Sequence, residues 1–464
     1  MWENNSKFAD NSKTIDMRLH KIFLSTLLLG TALIANAGLT FSGLTNSAIS
    51  IKPDSNSGLD EIYVVYPGAP VTVTYQAGSS AVTWQKFDSR GGGFASDMTG
   101  VTKTGNNYSV TLPQEDIGFI ITEGTRPHYY WIVNYSNHIA DIQSITPRMD
   151  EGECDRASIV INGNLEPIKY YSINGRAIEL SREIEVTYHT MDYVEEGKYY
   201  TITEVTENIE STTGTIHVAA PLCDTQFTVT ADRFLKQWGM AESVTSETLS
   251  ATAVAATCSA EQPDDEKPDN EQTVEASLGG SAPADITFTA AITDAAIFHE
   301  WQFSNTAEFE DIYMRVNELE FTQTFTEAGT TYVRFVASNA AGECYAYSDV
   351  YEIFIGESQL LCPNAFSPGG SEGINDIWKV SYKSIVSFEC HIFNRWGNEI
   401  ISFNDPAQGW DGKKGGKLVP SGVYYYVIKA VGSDGKKYNL SGDINIINSK
   451  QSVGTGTSTK EPIE

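Results

Sequence analysis

The chain has 464 residues, 41% of them hydrophobic and 11% aromatic, with a formal net charge of −29. That length suits three or four domains, and that apolar content excludes wholesale disorder. The charge argues against nucleic acid or anionic lipid as a partner. The acidity is unevenly placed: between Leu360 and Lys450, ten Lys and Arg stand against eight Asp and Glu. Such asymmetry marks the end of the chain as a module with its own task.

Met17 is followed by Arg18, His20 and Lys21, and then by an apolar run from Ile22 to Ala35. Ala35-Asn36-Ala37 is a small-residue cleavage site, so residues 17–37 are expected to be a signal peptide that leaves Gly38 first. The apolar core is shorter than the roughly 20 residues a membrane span needs. No later run is long enough to span, so the processed protein is expected not to be membrane-spanning. Residues 1–16 are polar and are expected to be a mis-called start.

Six cysteines follow: Cys154, Cys223, Cys258, Cys344, Cys362 and Cys390. An even count in an exported chain favours disulfides, and the absence of C-x-x-C spacing argues against zinc or redox sites. Many pairings are open. If each domain closes its own bridge, the pairs are Cys154–Cys223, Cys258–Cys344 and Cys362–Cys390; the other reading is six buried thiols.

Short runs of Val, Ile, Thr, Tyr and Phe, broken by Gly, Asn, Asp and Ser, predict an all-β chain of tandem sandwiches. Residues 38–139 read as an immunoglobulin-like β domain. In it Val71–Tyr75 alternates, Trp84 plugs the core, and Tyr129–Tyr135 is a late apolar strand. Residues 140–238 read as a second such domain, with strands at 157–162, 168–173, 184–188, 199–204 and 226–231. Residues 239–357 read as a third, its first strand near 249–258. Residues 261–271, rich in Pro, Asp and Glu, are expected to be a solvated loop. Ala282–Ala290, His299–Phe303 and Phe325–Asn339 resemble a PKD-type sandwich, with Trp301 and Phe303 inward and Gly329 turning the chain into a strand. Where that family carries Trp-Asp-Phe-Gly-Asp, this chain has Trp301-Gln302-Phe303-Ser304-Asn305, which removes the acidic turn.

Residues 358–448 carry the most specific pattern, and 449–464 read as a flexible tail. Cys362-Pro363-Asn364-Ala365-Phe366-Ser367-Pro368 leads to Asn375-Asp376. Phe393-Asn394-Arg395-Trp396-Gly397 and Trp410-Asp411-Gly412 come next. Gly422, Tyr424 and Tyr425 then open a strand that leads to Asp434-Gly435 and Gly442. These runs, in this order, resemble the gliding-motility-associated C-terminal domain, the type B sorting domain of the type IX secretion system of Bacteroidota. The resemblance implies Sec export followed by passage across the outer membrane, with the type IX translocon as partner. It does not say which residues are read. Residues 367–373 depart from the family's Asn-Gly-Asp-Gly turn, so a cation there is not expected. Trp396 and Trp410 close a core on one reading; on the other, both turns face the translocon.

There is no H-E-x-x-H, G-x-S-x-G or P-loop, and no catalytic residue, cofactor or metal site is expected. His189, His217, His299 and His391 sit in strand-like stretches and are expected to be structural. The chain therefore reads as a non-enzymatic surface or secreted protein for adhesion, with an unknown extracellular protein or glycan ligand. Two alternatives stand beside it. One is carbohydrate binding on a platform of Tyr129, Tyr130, Trp131, Tyr170 and Tyr171; the other is a stalk or surface-layer component.

Overall fold

The computed structural model describes residues 38–78, 81–150, 152–210, 212–264, 266–369, 373 and 375–447. Ala35 and Ala37 lie outside the described residues, and Gly38 is the first of them. The architecture is all-β: sheets of two to six strands, with one α-helix, Arg233–Gln237, among the described residues.

The N-terminal part is a sandwich of two sheets. One orders Leu39–Leu44, Pro67–Gln76, Asn107–Thr111 and Thr102–Thr104; the other orders Ile49–Ile51, Glu61–Val65, Arg126–Asn134, Ile117–Glu123, Val82–Phe87 and Ser96–Asp97. Trp84 lies between them, edge-on to Phe119 with ring centres 5.4 Å apart. Residues 62–65 and 130–133 are apolar and buried at every position because both faces of the second sheet are covered. Tyr63, Val65, Phe119 and Ile132 face the first sheet. Ile62, Val64, Phe87, Trp131 and Val133 face away from it, into a second core.

That second core is roofed by the next part of the chain. The hairpin Ile168–Tyr171/Ala177–Leu180 and the helix Arg233–Gln237 lay Ile168, Tyr170, Leu180, Phe234 and Leu235 on the sheet. The tandem sandwiches thus share apolar surface where an independent pair would not. At the junction Arg182 and Asp232 form a buried ion pair, with Nη1 2.7 Å from Oδ2. Arg182 Nε donates to the Glu166 carbonyl at 2.6 Å and Nη2 to the His138 carbonyl at 2.8 Å. Asp232 caps the helix by accepting from Phe234 N and Leu235 N, and Oδ2 also accepts from the Tyr135 hydroxyl at 3.0 Å.

The second sandwich itself packs Asp141–Met149, Arg156–Asn164 and Thr215–Ala219 over Tyr199–Ile209, Ile184–Val194, Thr228–Ala231 and Glu242–Thr245. The third packs Ala256–Glu261, Ala284–Ile292 and Glu320–Phe325 against a sheet centred on Gly329–Ser338 and Phe298–Ser304. Its first strand therefore begins later than the sequence suggests. Trp301 and Phe303 do point inward, around Phe288, and Gly329 enters its strand at φ 133°.

The loop after Glu261 is solvated only in its first half. Residues 262–264, 266 and 267 are exposed, but the chain then docks on the C-terminal part. Gln272 N donates to the Tyr382 carbonyl at 2.7 Å, and Asn270 Nδ2 to the carbonyls of Val380 and Pro406. Asp269 pairs with Lys379. The acidic run is a solvated arch whose end becomes an extra edge on the next domain.

The C-terminal part orders Ala365–Phe366, Lys437–Ile446, Gly422–Gly432, Ile385–Phe393 and Glu399–Phe403 in one sheet. Gly422–Gly432 is central, and Gly435, at φ 74°, turns the chain into the last strand.

The disulfide differs from sequential pairing. Cys154 joins Cys344 across 190 residues, with Cα atoms 5.6 Å apart, and so ties the second sandwich to the third. Cys223, Cys258, Cys362 and Cys390 are free thiols. Burial pushes the thiols of Cys258 and Cys390 up to about 12, as expected of cysteines that act as small core hydrophobes. Pairing by domain fails for the second and third sandwiches because the loops bearing Cys154 and Cys344 meet at the junction, which leaves Cys223 buried in a bend and Cys258 on a strand against the third core.

Two measurements check this arrangement. Alkylation in denaturant labels the four free cysteines without reductant and all six after reduction; sequential pairing would leave none reactive before reduction. Asp232→Ala strands a buried guanidinium and lowers stability by roughly 3–5 kcal/mol in urea unfolding. In Arg182→Met/Asp232→Leu no charge is left unpaired, and the loss is smaller.

Candidate functional site

The sequence-singled residues of the C-terminal domain divide into a buried set and an exposed set. Trp410 is fully buried, 5.4 Å from the Phe366 ring and 5.2 Å, edge-on, from Tyr424. Its indole Nε1 donates to the Lys413 carbonyl, and Trp378 and Trp410 exchange two backbone hydrogen bonds of 2.9 Å. Asp411 accepts from Lys413 N and Lys413 Nζ. Gly412, at φ 75°, packs against Pro368, where a Cβ would come within 2.8 Å of the proline ring. Pro363 accepts the Trp378 indole N–H through its carbonyl at 2.7 Å, and Asn364 takes the backbone N–H of Asn445. Gly442 leaves room for the Tyr426 hydroxyl, which a Cβ would approach to 2.7 Å. The Asp376 carboxylate accepts from Gly369 N and Gly373 N, and the carbonyl of Asn375 accepts from Ser367 N at 2.8 Å. The carboxylate here closes a turn. These residues hold a small core together.

The other aromatic turn points outward. Asn394 folds it: Oδ1 accepts from Trp396 N and Asn398 N, both at 3.0 Å, and Gly397 closes it at φ 79°. Trp396 is left 70% exposed, with the Arg395 guanidinium 4.2 Å above its ring. Beside it opens a groove of about 260 Å³ between this turn and residues 419–424. A tryptophan held in water by a rigid turn next to a groove is a feature of recognition surfaces, because its large apolar area gains only when covered. The two tryptophan turns thus have opposite exposures, although the sequence treats them alike.

Sequence reasoning missed the neighbouring sheet face. Val423, Tyr425 and Val427 of the central strand are exposed on its outer side, opposite Phe393 and His391 of the adjoining strand. The apolar and aromatic run at 423–428 suits the central strand it forms, but such a pattern does not tell that the outer face is left open. His391 is set there between two carboxylates: Nδ1 lies 2.9 Å from Glu399 and Nε2 3.1 Å from Glu389. Those bonds, to Glu399 and then Glu389, raise its pKa above the ordinary imidazole value. Histidine elsewhere is local too: His138 bonds Asp116 at 2.6 Å, and His217 bonds Ser158. Among the described residues no group of three or more His, Cys, Asp or Glu is placed to hold a metal.

The aromatic platform proposed for sugar stacking is not present. Tyr130, Trp131 and Tyr170 are buried in the cores of the first sheet and its roof, and Tyr129 and Tyr171 are half-buried beside them. The same strand that reads as a row of rings is covered on both faces.

His391 provides a titration check. Its charged form is favoured in the folded protein, so its contribution to stability is present below about pH 6.5. That contribution fades as pH rises through the raised folded value. An NMR titration gives a midpoint above about 6.5, and Glu399→Gln moves it down.

No curated protein matches the chain. Among solved structures, a tetra-tandem repeat from the extending region of a large adhesion protein aligns at 12% identity. It covers 82% of this chain and 95% of that one, with a TM-score of 0.21. Three N-terminal domains of the highly immunogenic outer capsid protein of bacteriophage RB49 align at 12% identity, over 67% of this chain and all of that one, with a TM-score of 0.22. Family models match at two places, a fibronectin type III domain over residues 146–246 and a type IX secretion signal domain over residues 360–446. The chain therefore ends in a type IX secretion signal domain, the module that holds Trp396 in water and Trp410 in its core, preceded by a fibronectin type III domain.

Proposed function

We propose that this is a non-enzymatic binding or adhesion protein of the cell surface or medium. A signal peptide over residues 17–37 would take it through Sec, and its C-terminal domain would then present the Asn394–Gly397 turn to the type IX translocon. The observation that carries the reading is the match of residues 360–446 to a type IX secretion signal domain. The exposed Trp396 and Arg395 support the choice of surface, since a buried turn could not be read. Among the described residues no helix is long and apolar enough to cross a membrane. We divide the chain into sandwiches at 38–139, 140–238 and 239–357 and a sorting domain at 358–448, with the strand Glu242–Thr245 pairing back onto the second sandwich; residues 449–464, read as a tail, lie outside the described residues. The shared core and the Cys154–Cys344 bond support a stiffened arm that holds a contact surface away from its attachment. A stalk without a ligand is the competing reading.

Fractionation of cells with a type IX system tests the address. The full chain reaches the surface or medium, and a chain lacking residues 360–464 stays periplasmic. Arg395→Ala/Trp396→Ala also stays periplasmic, with its melting temperature unchanged because both side chains lie outside the core. Exit of the double variant alone would move the reading site elsewhere on the domain. Exit of the truncated chain would remove the address from this domain altogether.

A further inference from the structure

The third sandwich carries a groove of about 410 Å³ on the outer face of its larger sheet. Strand register builds it. Phe298, Glu300 and Gln302 alternate with the inward Trp301 and Phe303, and stand opposite Ser338, Val336 and Arg334. Ser338 and Val336 stand in turn opposite Tyr345 and Tyr347. Three aromatic rings therefore flank a polar floor, and all three are exposed: Phe298 by 61%, Tyr345 by 52% and Tyr347 by 56%. The two tyrosine rings are 6.2 Å apart with only 23° between their planes.

The floor has one cation with a fixed direction. The Arg334 guanidinium lies 4.1 Å over the Phe309 ring and 5.4 Å from the Tyr347 ring, and its Nε donates to Gln302 Oε1 at 2.9 Å. Gln302 is buried and bonds Glu300 at 2.7 Å, and Glu300 pairs with Arg315. Among the described residues Arg334 makes no ion pair, so its terminal N–H groups remain for a ligand. A guanidinium stacked on rings and tied at one edge offers the other edge as a planar fork, the geometry that takes a carboxylate two-handed.

The site is also held in place. Tyr345 follows Cys344, whose disulfide to Cys154 anchors the loop to the neighbouring sandwich. Asn339 Oδ1 accepts from Glu343 N at 3.1 Å and Cys344 N at 3.4 Å. A loop fixed in this way loses little backbone freedom on binding.

We propose that this groove binds an acidic oligosaccharide, with uronate rings stacking on Tyr345 and Tyr347 and a carboxylate taken by Arg334. The C–H faces of a pyranose suit exposed aromatic planes, and its acid group suits the unpaired fork. In a chain of net charge −29, a free arginine between rings selects for the acid through this one contact and against acids elsewhere. The proposal gives a ligand class to the binding half of the preceding reading. It is tested on purified protein, so a failure of export does not bear on it.

Calorimetry of the purified full chain against hexagalacturonate, hexamannuronate, cellohexaose and hexaglutamate decides the matter. The expected result is binding of at least one uronate hexamer and at least tenfold weaker binding of cellohexaose and hexaglutamate. Tyr345→Ala/Tyr347→Ala and Arg334→Lys each weaken uronate binding about tenfold or more; the melting temperature stays put in the tyrosine variant and falls in Arg334→Lys, which loses the bond to the buried Gln302, but both variants remain folded at the temperature of the assay. Arg334→Lys keeps the charge and the stem, so its loss isolates the fork. Absence of uronate binding overturns the proposal. So does equal binding of cellohexaose or hexaglutamate, or unchanged affinity in the tyrosine variant.

Discussion

The buried Arg182–Asp232 pair sets how the first two sandwiches meet. Removing two charges from water is costly, and here every cost is answered by a bond to a different segment. Arg182 reaches Glu166, His138 and Asp232, while Asp232 reaches Tyr135 and the start of a helix. Losing the cap weakens the helix by about 1 kcal/mol, and without the helix only the hairpin Ile168–Tyr171/Ala177–Leu180 covers the outer face of the first large sheet. Sheet, roof and junction are therefore coupled through this pair, and a swivelling linker has no room here.

The same rigidity is continued by different chemistry down the chain. Between the second and third sandwiches the link is covalent, Cys154 to Cys344. Between the third and the C-terminal domain it is backbone pairing: the end of the acidic arch lies along residues 380–382, and Ala328 N donates to the Ser433 carbonyl while Ser433 Oγ donates to the Gly356 carbonyl. An ion pair, a disulfide and a strand edge each restrict one junction. An arm restricted at every junction can hold a binding face at fixed distance and angle, which lowers the ordering cost of contact.

Two tryptophan-glycine turns show how one residue type serves opposite ends. Trp410 donates its N–H inside the fold and is enclosed by Phe366 and Tyr424. Trp396 has its backbone fixed by Asn394 and its ring covered only by Arg395. The first stabilises the domain; the second is free to be covered by another molecule. Tyr345 and Tyr347 repeat the exposed arrangement on the third sandwich, with a disulfide added to an asparagine as the brace.

Local chemistry made much of this legible in the sequence. Alternating apolar runs with glycine and asparagine turns determined the strands, Trp84, Trp301 and Phe303 declared themselves as core, and the ordered motifs from Pro363 to Gly442 marked the sorting domain. What the sequence left open depended on which segments meet. Tyr130, Trp131 and Tyr170 look like a platform until a hairpin and a helix bury them. Cys154 looks like the partner of Cys223 until the loops bring it to Cys344, and the acidic arch looks wholly solvated until its end finds a strand edge. Periodicity fixes which way a side chain points along its own strand; only tertiary packing decides whether that face meets water, another sheet or another domain.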